Sequence, residues 1–227
     1  MHALLVHGAG GGGWEWNVWR RVFAAHGIAA SAPDLEAATA GLQATTLEDY
    51  RQQVATAARE LPTPPVLVGA SLGGLLALCT AVEVDAAALV LVNPLPPSPW
   101  HAQLRRRAWP PRVPWARDAS LAGTRAALPD ADAATCLFAW RRWRDDSGAV
   151  LQEASSGVAV RAPACPLLVI ASGRDEDVPA RASAELASAF GGDLLHCAGA
   201  SHVGVLLGRA APVAAADAAR WLQAIRR

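Results

Sequence analysis

The stretch VLVGASLGG, from Val66 to Gly74, decides the fold of this chain. An apolar run leads into a G-x-S-x-G match centred on Ser71, and a segment rich in Ala and Leu, typical of a helix, follows it. A serine on a sharp strand-to-helix turn adopts a strained backbone conformation, which needs small neighbours such as these glycines. A helix that begins at Leu72 also directs backbone N–H groups towards an oxygen beside the serine. The pattern therefore predicts Ser71 as a nucleophile at the end of a strand.

Two later segments supply the partners that such a serine needs. In VIASGRDEDVP an acid follows an apolar run, and we expect Asp175 to be the acid, with Glu176 and Asp177 as alternatives within two residues. In GASHVGVLL, His202 follows the last strand pattern by a short loop of small residues. The order Ser71, then acid, then His202, with each at the end of a predicted parallel strand, is the chain order of a hydrolytic triad.

The N-terminal stretch MHALLVHGAGGGGWEW has two interpretations. Its glycines match the G-x-G-x-x-G dinucleotide pattern from Gly8 onwards, and Asp34 ends the next strand, about where a ribose-binding acid is expected. Alternatively, the loop points the backbone N–H of Ala9 at a reacting carbonyl oxygen, as the partner of the N–H of Leu72. A dinucleotide enzyme gives no reason for a serine, an acid and a histidine at three later strand ends, so we favour an oxyanion hole and expect no cofactor.

The alternation of apolar runs and helical patterns defines the class as α/β. Six such runs predict a mostly parallel six-stranded sheet with helices on both faces. The alternation breaks between Pro94 and Pro163, where proline, arginine and tryptophan concentrate, where we expect no strand, and where two short helical patterns occur. We therefore predict a core formed by residues 1–93 and 163–227, and a small helical cap at residues 94–162, inserted after the fourth strand.

With these motifs in place, the sequence resembles the α/β-hydrolase superfamily. The similarity covers about residues 3–93 and 163–226 and rests on HGAGGGGWEW, APDL, LVGASLGG, SGRDEDVP and GASHVG. Within the superfamily it looks most like the small serine esterases related to plant methylesterases and hydroxynitrile lyases. The resemblance implies hydrolysis of a carboxylic ester or related acyl compound through an acyl-enzyme.

The chain departs from that subgroup in ways that keep alternatives open. Ala70 stands where a histidine often precedes the serine, and the chain has no lysine, whereas the resembling hydroxynitrile lyases use one near the catalytic histidine. A lyase, a cyclase or a thioesterase of secondary metabolism, and a receptor-like protein that binds a ligand on a hydrolase scaffold, are the alternatives.

Tryptophans suggest the nature of the substrate. The predicted cap holds five of the nine, and Trp14 and Trp16 lie on the loop beside Ala9. With Trp140 and Trp143 they are candidate substrate-binding residues, which favours an apolar or aromatic small-molecule substrate, unless the rings only form the core of the cap. The surplus of arginine in the cap would attract an anionic substrate or a carrier protein, or would form a solvated face.

Bulk composition excludes several classes of function. The formal net charge is zero, so nothing favours nucleic acid as a partner. We expect no membrane span, since no apolar run approaches the roughly 20 residues that are needed. Without a recognisable signal peptide we expect a cytoplasmic protein. The four cysteines form no C-x-x-C pair and lack zinc-ligand spacing, so we expect no metal.

Overall fold

The computed structural model describes residues 1–62 and 64–225. Its strands in chain order are β1 (His2–Val6), β2 (Ala29–Ser31), β3 (Val66–Ala70), β4 (Ala88–Val92), β5 (Arg112–Val113), β6 (Asp146–Ser147), β7 (Leu167–Ser172) and β8 (Asp193–Cys197). Six of them form one sheet in the order β2-β1-β3-β4-β7-β8, and every neighbouring pair is parallel. The predicted α/β class with a six-stranded parallel sheet is confirmed.

Register in the sheet is fixed by rows of buried apolar side chains. One row runs across four strands, with Leu4 beside Leu67, Leu67 beside Leu89, and Leu89 beside Leu167. All four leucines are at most 4% exposed. A slip by one residue would turn each side chain to the opposite face of its strand, so this buried row specifies the pairing.

Helices cover both faces of the sheet, as predicted. In chain order they are α1 (Asn17–Ala25), α2 (Leu47–Arg59), α3 (Leu72–Ala81), α4 (Leu121–Ala127), α5 (Ala133–Trp140), α6 (Gly148–Ser155), α7 (Ala180–Ala189), α8 (Gly204–Leu207) and α9 (Ala211–Ala224), with 3₁₀ turns at Gly13–Trp16, Leu42–Ala44 and Trp100–Gln103. Helices α1 and α9 share one buried apolar cluster, and α2, α3, α6 and α7 share the cluster on the other face. Among the described residues, no helix is long and apolar enough to cross a membrane.

The segment between β4 and β7 corrects one expectation, because it contains strands. Strands β5 and β6 pair antiparallel, with Arg112 beside Ser147 and Val113 beside Asp146. Strands of two residues are too short to show an alternating pattern, so the sequence could not reveal them. Helix α6, which directly follows β6, was also not predicted. It begins where the Ser147 hydroxyl accepts the backbone N–H of Val150 at 3.3 Å.

Candidate active site

Ser71 lies on the turn that joins β3 to α3. Its φ of 52° and ψ of −119° place it in a backbone region that non-glycine residues rarely adopt. A Cβ on Gly69 would lie 2.1 Å from the carbonyl oxygen of Gly73, and a Cβ on Gly73 would lie 2.3 Å from that of Val6. The backbone N–H of Ser71 donates to the carbonyl of Val92 at 3.0 Å. Close packing without side chains, together with this bond to β4, therefore maintains the strained turn.

Asp175 and His202 meet at the same edge of the sheet. The Nδ1 of His202 lies 2.7 Å from Oδ2 of Asp175, whose side chain is fully buried. The other carboxylate oxygen accepts the backbone N–H groups of Asp177 at 2.9 Å and Val178 at 2.8 Å. By contrast, the Asp177 side chain is half exposed and lies 3.5 Å from Arg107. Of the two aspartates considered, the structure brings Asp175 to the histidine.

Two opposing effects set the pKa of His202. Burial lowers this pKa, but the hydrogen bond that the ring donates to Asp175 and the charges of Asp175 and Asp177 outweigh burial and raise it above its ordinary value. Because Nδ1 faces the carboxylate, Nε2 is the nitrogen available for proton transfer. His202 and Ser71 line the same cavity, and no direct hydrogen bond joins their side chains within the described chain.

Asn93 fixes the histidine loop and was not found from the sequence. It directly follows β4, has a φ of 44°, and is 2% exposed. Its Nδ2 donates to the carbonyl of His202 and to the hydroxyl of Ser172, both at 2.9 Å, while its Oδ1 accepts the N–H of Ser172 at 2.8 Å. A lone asparagine after a buried strand carries no motif, so only the three-dimensional contacts identify it.

The loop after β1 passes directly over Ser71. A Cβ on Gly8 would lie 3.2 Å from Cβ of Ser71. The Nδ1–H of His7 donates to the carbonyl of Gly8 at 2.8 Å, and its Nε2 accepts a backbone N–H from the chain after β2 at 2.9 Å. Within the described part of the chain, no protein acceptor takes the N–H of Ala9 or of Leu72. Both predicted oxyanion donors therefore remain available to a ligand, as the prediction of an oxyanion hole requires.

The remaining glycines of this loop pack against the chain itself. A Cβ on Gly13 would lie 2.1 Å from the carbonyl oxygen of Ala32. The N–H of Gly13 donates to Oδ1 of Asp34 at 2.7 Å, and Arg144 lies 3.3 Å from the same carboxylate. The acid that the dinucleotide interpretation assigned to a ribose is thus engaged by the protein's own groups.

Glu15 is a buried acid beneath this loop. It is 3% exposed, and its Oε2 accepts the N–H of Gly8 at 3.2 Å. Burial raises the pKa of Glu15 to about 8, although the Gly8 N–H and the charge of His202 act to lower it. An acidic residue within a tryptophan-rich stretch gives no sign in the sequence that it will be buried.

A cavity of about 530 Å³ opens above Ser71 and His202. Ala9 and Gly10 form part of its wall, and most of the other lining residues lie in residues 94–162, the predicted cap. Its apolar lining includes Leu95, Leu104, Trp109, Val113, Pro114, Trp115, Ala127, Trp143, Leu151 and Val203. The volume lies within the range of small-molecule sites.

The structure places only one of the four predicted tryptophans in this wall. Trp143 lines the cavity, and the Trp14 ring packs edge-on against it at 5.3 Å without lining the cavity itself. Trp16 is fully buried and packs at 5.4 Å against Trp19, so its expected place in the pocket is wrong: the 3₁₀ turn directs the ring into the core. Trp140 is also outside the lining, and its indole N–H donates to a backbone carbonyl at 3.2 Å. Trp109 and Trp115, two further cap tryptophans outside the four candidates, line the cavity.

Ion pairs engage much of the arginine surplus in the cap. Four of the nine arginines between His101 and Arg144 pair with carboxylates: Arg107, Arg112, Arg117 and Arg144. The charged residues in the cavity lining are of both signs, namely Arg105, Arg107, Asp118, Glu176 and Asp177. No uniform positive field therefore faces the cavity.

Comparison with known proteins now identifies the family. The model of the alpha/beta hydrolase family matches residues 3–216. Among solved structures, polyneuridine aldehyde esterase superposes with a TM-score of 0.75 at 17% identity over 98% of each chain. A methylesterase from Arabidopsis gives 0.71 at 16% identity, covering 100% of this chain and 99% of the other. A pyrethroid hydrolase from Sphingobium faniae gives a TM-score of 0.69 at 20% identity over 97% of each chain.

No curated protein matches the sequence. The chain belongs to the α/β hydrolase family, and the resemblance drawn from its motifs is confirmed.

Proposed function

We propose that this α/β hydrolase cleaves a carboxylic ester through a triad of Ser71, His202 and Asp175. The proposal rests on one observation, namely that two separately built features face one cavity. A serine on a strained strand-to-helix turn and a histidine bonded to a buried carboxylate at 2.7 Å both line it. Esterases among the structures of the same fold agree with this choice.

In the first half-reaction, Nε2 of His202 takes the proton of the Ser71 hydroxyl as Oγ attacks the ester carbonyl. The oxyanion of the tetrahedral intermediate accepts the N–H groups of Ala9 and Leu72. Collapse breaks the bond to the leaving alkoxide, which takes the proton from His202, and the acyl group stays on Ser71. Asp175 holds the imidazole orientation and stabilises the imidazolium.

Water completes the reaction by the same route. His202 takes a proton from water as the water oxygen attacks the acyl-enzyme, and the released Ser71 oxygen recovers that proton. The products are a carboxylic acid, an alcohol and the free enzyme. Every proton is transferred through one imidazole, so the cycle needs no external acid or base.

The lining of the cavity favours a neutral substrate that carries an apolar acyl chain or an aromatic group. Indole rings and aliphatic side chains make up much of the lining, and its charged residues are of both signs. An apolar chain would displace water from this surface at a gain of about 25 cal/mol per Å² buried. A substrate with a net charge would find no uniform field to hold it.

The experiment compares ester turnover in the wild type and in Ser71→Ala. A series of p-nitrophenyl esters from acetate to decanoate, with matched acyl thioesters, identifies the preferred acyl length and leaving group. We expect p-nitrophenol release by the wild type and none above background in Ser71→Ala. Release by Ser71→Ala at the wild-type rate would contradict the proposal. Triad-dependent conversion of a carbonyl compound without ester turnover would instead favour a lyase or cyclase.

A further inference from the structure

The geometry points to Asp146, in the cap, as a positioning residue that orients the oxyanion-binding loop. This inference rests on the proposed function, because it assigns Ala9 to the oxyanion hole. Asp146 is 136 residues away from Gly10 along the chain and is 5% exposed. Its Oδ2 accepts the N–H of Gly10, the residue after Ala9, at 2.8 Å.

The same segment of the cap engages both polar groups of Gly10. While Asp146 accepts its N–H, the backbone N–H of Arg144 donates to its carbonyl at 2.8 Å. The peptide units on both sides of Gly10 are thereby fixed relative to the cap. Ala9 then lies between two anchored residues, since the N–H of Gly8 donates to Glu15 at 3.2 Å.

The composition of the loop explains why an external clamp is needed. Residues 10–13 are four consecutive glycines, the residue type with the greatest backbone freedom. Gly10 has a φ of 69°, and the ring of Trp115 occupies the place where its Cβ would be. With no side chains of their own, these residues depend on hydrogen bonds to other segments for a single conformation. An oxyanion donor that swings by about 1 Å loses much of its effect on the rate.

An orienting role and a purely electrostatic role of Asp146 predict opposite effects when its charge is removed. A carboxylate close to a developing oxyanion opposes it by Coulomb repulsion, so removal of the charge alone would accelerate the reaction. Removal of the clamp would slow it. Neutralisation therefore changes the rate in opposite directions under the two explanations.

Asp146→Asn is the test variant, because it keeps the shape and removes one acceptor. Oδ1 of Asp146 accepts two hydrogen bonds, from the Ser147 N–H at 2.7 Å and the Tyr50 hydroxyl at 3.1 Å. In Asp146→Asn the amide oxygen takes the position of Oδ1, where it accepts these two donors. The NH₂ group then faces the N–H of Gly10, which loses its acceptor. Tyr50→Phe is the matched control, since it removes a partner of the same carboxylate and leaves the Gly10 bond in place.

The readouts are kcat and KM on p-nitrophenyl acetate and the affinity of a trifluoromethyl ketone, which binds as a tetrahedral adduct. For Asp146→Asn we expect kcat and the ketone affinity to fall together by about 30-fold. KM should stay within about twofold, since the ground-state ester gains little from the oxyanion hole. The pH midpoint, which reports His202, should not move. Tyr50→Phe should keep kcat within about threefold of the wild type.

Other results overturn the inference. Equal kinetics in the Asn and Phe variants, or a faster Asn variant, would show that Asp146 does not orient the loop. If Asp146→Asn does not fold, hydrogen exchange of the wild-type Gly10 amide decides the question, because a clamped amide is protected and a free loop amide exchanges at once. A wild type that turns over no ester contradicts the proposed function itself, which is a different outcome from turnover with no effect of Asp146→Asn.

Discussion

The edge of the sheet and the cap both line the cavity, but different interactions hold them in place. Ser71, Asp175 and His202 follow strands that a parallel sheet holds in register by continuous backbone hydrogen bonds. The cap reaches the cavity on short helices, and single side chains such as Asp130 and Asp146 attach it to the loops of the core. The proposed chemical groups are thus encoded locally in the chain, whereas the cap depends on contacts between segments far apart in the sequence.

The largest effect is expected from Asp175→Asn, which removes the acid of the proposed triad at the edge of the sheet. Loss of the carboxylate leaves His202 without the partner that fixes its tautomer, so kcat/KM should fall by about 10³- to 10⁴-fold. The pKa of His202 should also fall, because burial then outweighs the remaining charges. The acid limb of the residual pH profile should therefore move to lower pH.

Asp177→Asn is the matched control for this variant. Its half-exposed side chain does not bond the imidazole, so we expect a loss of less than about tenfold. If Asp177→Asn lost as much activity as Asp175→Asn, the assignment of the triad acid would be wrong.

The next largest effect concerns Glu15, a polar group buried on the core side of the oxyanion loop. In the folded state it keeps its proton up to about pH 8, whereas in the unfolded chain it ionises near its ordinary value of 4.5. Its contribution to stability is therefore fully present below about pH 4.5 and is lost as the pH rises through about 8. The loss is about 3–5 kcal/mol.

Glu15→Gln should remove this loss. Glutamine cannot ionise, and its side-chain oxygen still accepts the N–H of Gly8. Urea unfolding at pH 5 and pH 8.5 measures the difference, with the exposed Glu60→Gln as the control. The interpretation fails if wild type and Glu15→Gln lose the same stability between the two pH values.

Asp130→Asn weakens the attachment of the cap to the histidine loop. The Asp130 carboxylate accepts the backbone N–H of Ser201 at 2.9 Å and its hydroxyl at 2.6 Å, directly before His202. We expect kcat to fall by about tenfold, because the amide cannot accept both bonds. Asp132→Asn is the control, since the Asp132 carboxylate caps the start of α5 by accepting the Thr135 N–H at 2.7 Å. Equal kcat in the two variants would mean that Asp130 does not position His202.

The smallest effect is expected from Ala127→Phe, which narrows the cavity from the side of the cap. Ala127 is exposed at the end of α4 and lines the cavity, so a larger side chain fits without disturbing the core. KM for a long-chain ester should rise about fivefold while that for the acetate ester stays unchanged. Ala122→Phe, on the same helix but outside the cavity lining, should alter neither. A uniform effect on both esters would place the acyl group elsewhere.

The comparison between core and cap also explains what the sequence could predict. Six apolar runs bounded by helical patterns predicted every strand of the main sheet, because each of these strands is one continuous, largely apolar run in the chain. The motif around Ser71 and the order of acid and histidine predicted which side chains gather at one edge. Each apolar run and each motif lies within about ten consecutive residues, and only the order of the three motifs spans the chain.

The parts that were missed depend on distant contacts. Strands β5 and β6 contain two residues each, and their pairing brings together positions about 35 residues apart. Asn93, Glu15 and Asp146 act through hydrogen bonds to other loops, which composition and periodicity do not report. Trp16 was misplaced because a tryptophan beside a loop can face the core or the cavity, and only the 3₁₀ turn decides which.

Intact mass after incubation with a fluorophosphonate tests the central claim most directly. The reagent phosphonylates a serine only where an adjacent base and an oxyanion hole activate it. We expect a single adduct on the wild type and none on Ser71→Ala, with greatly slowed labelling of His202→Ala. A wild type without adduct, or an adduct that persists in Ser71→Ala, would contradict the account.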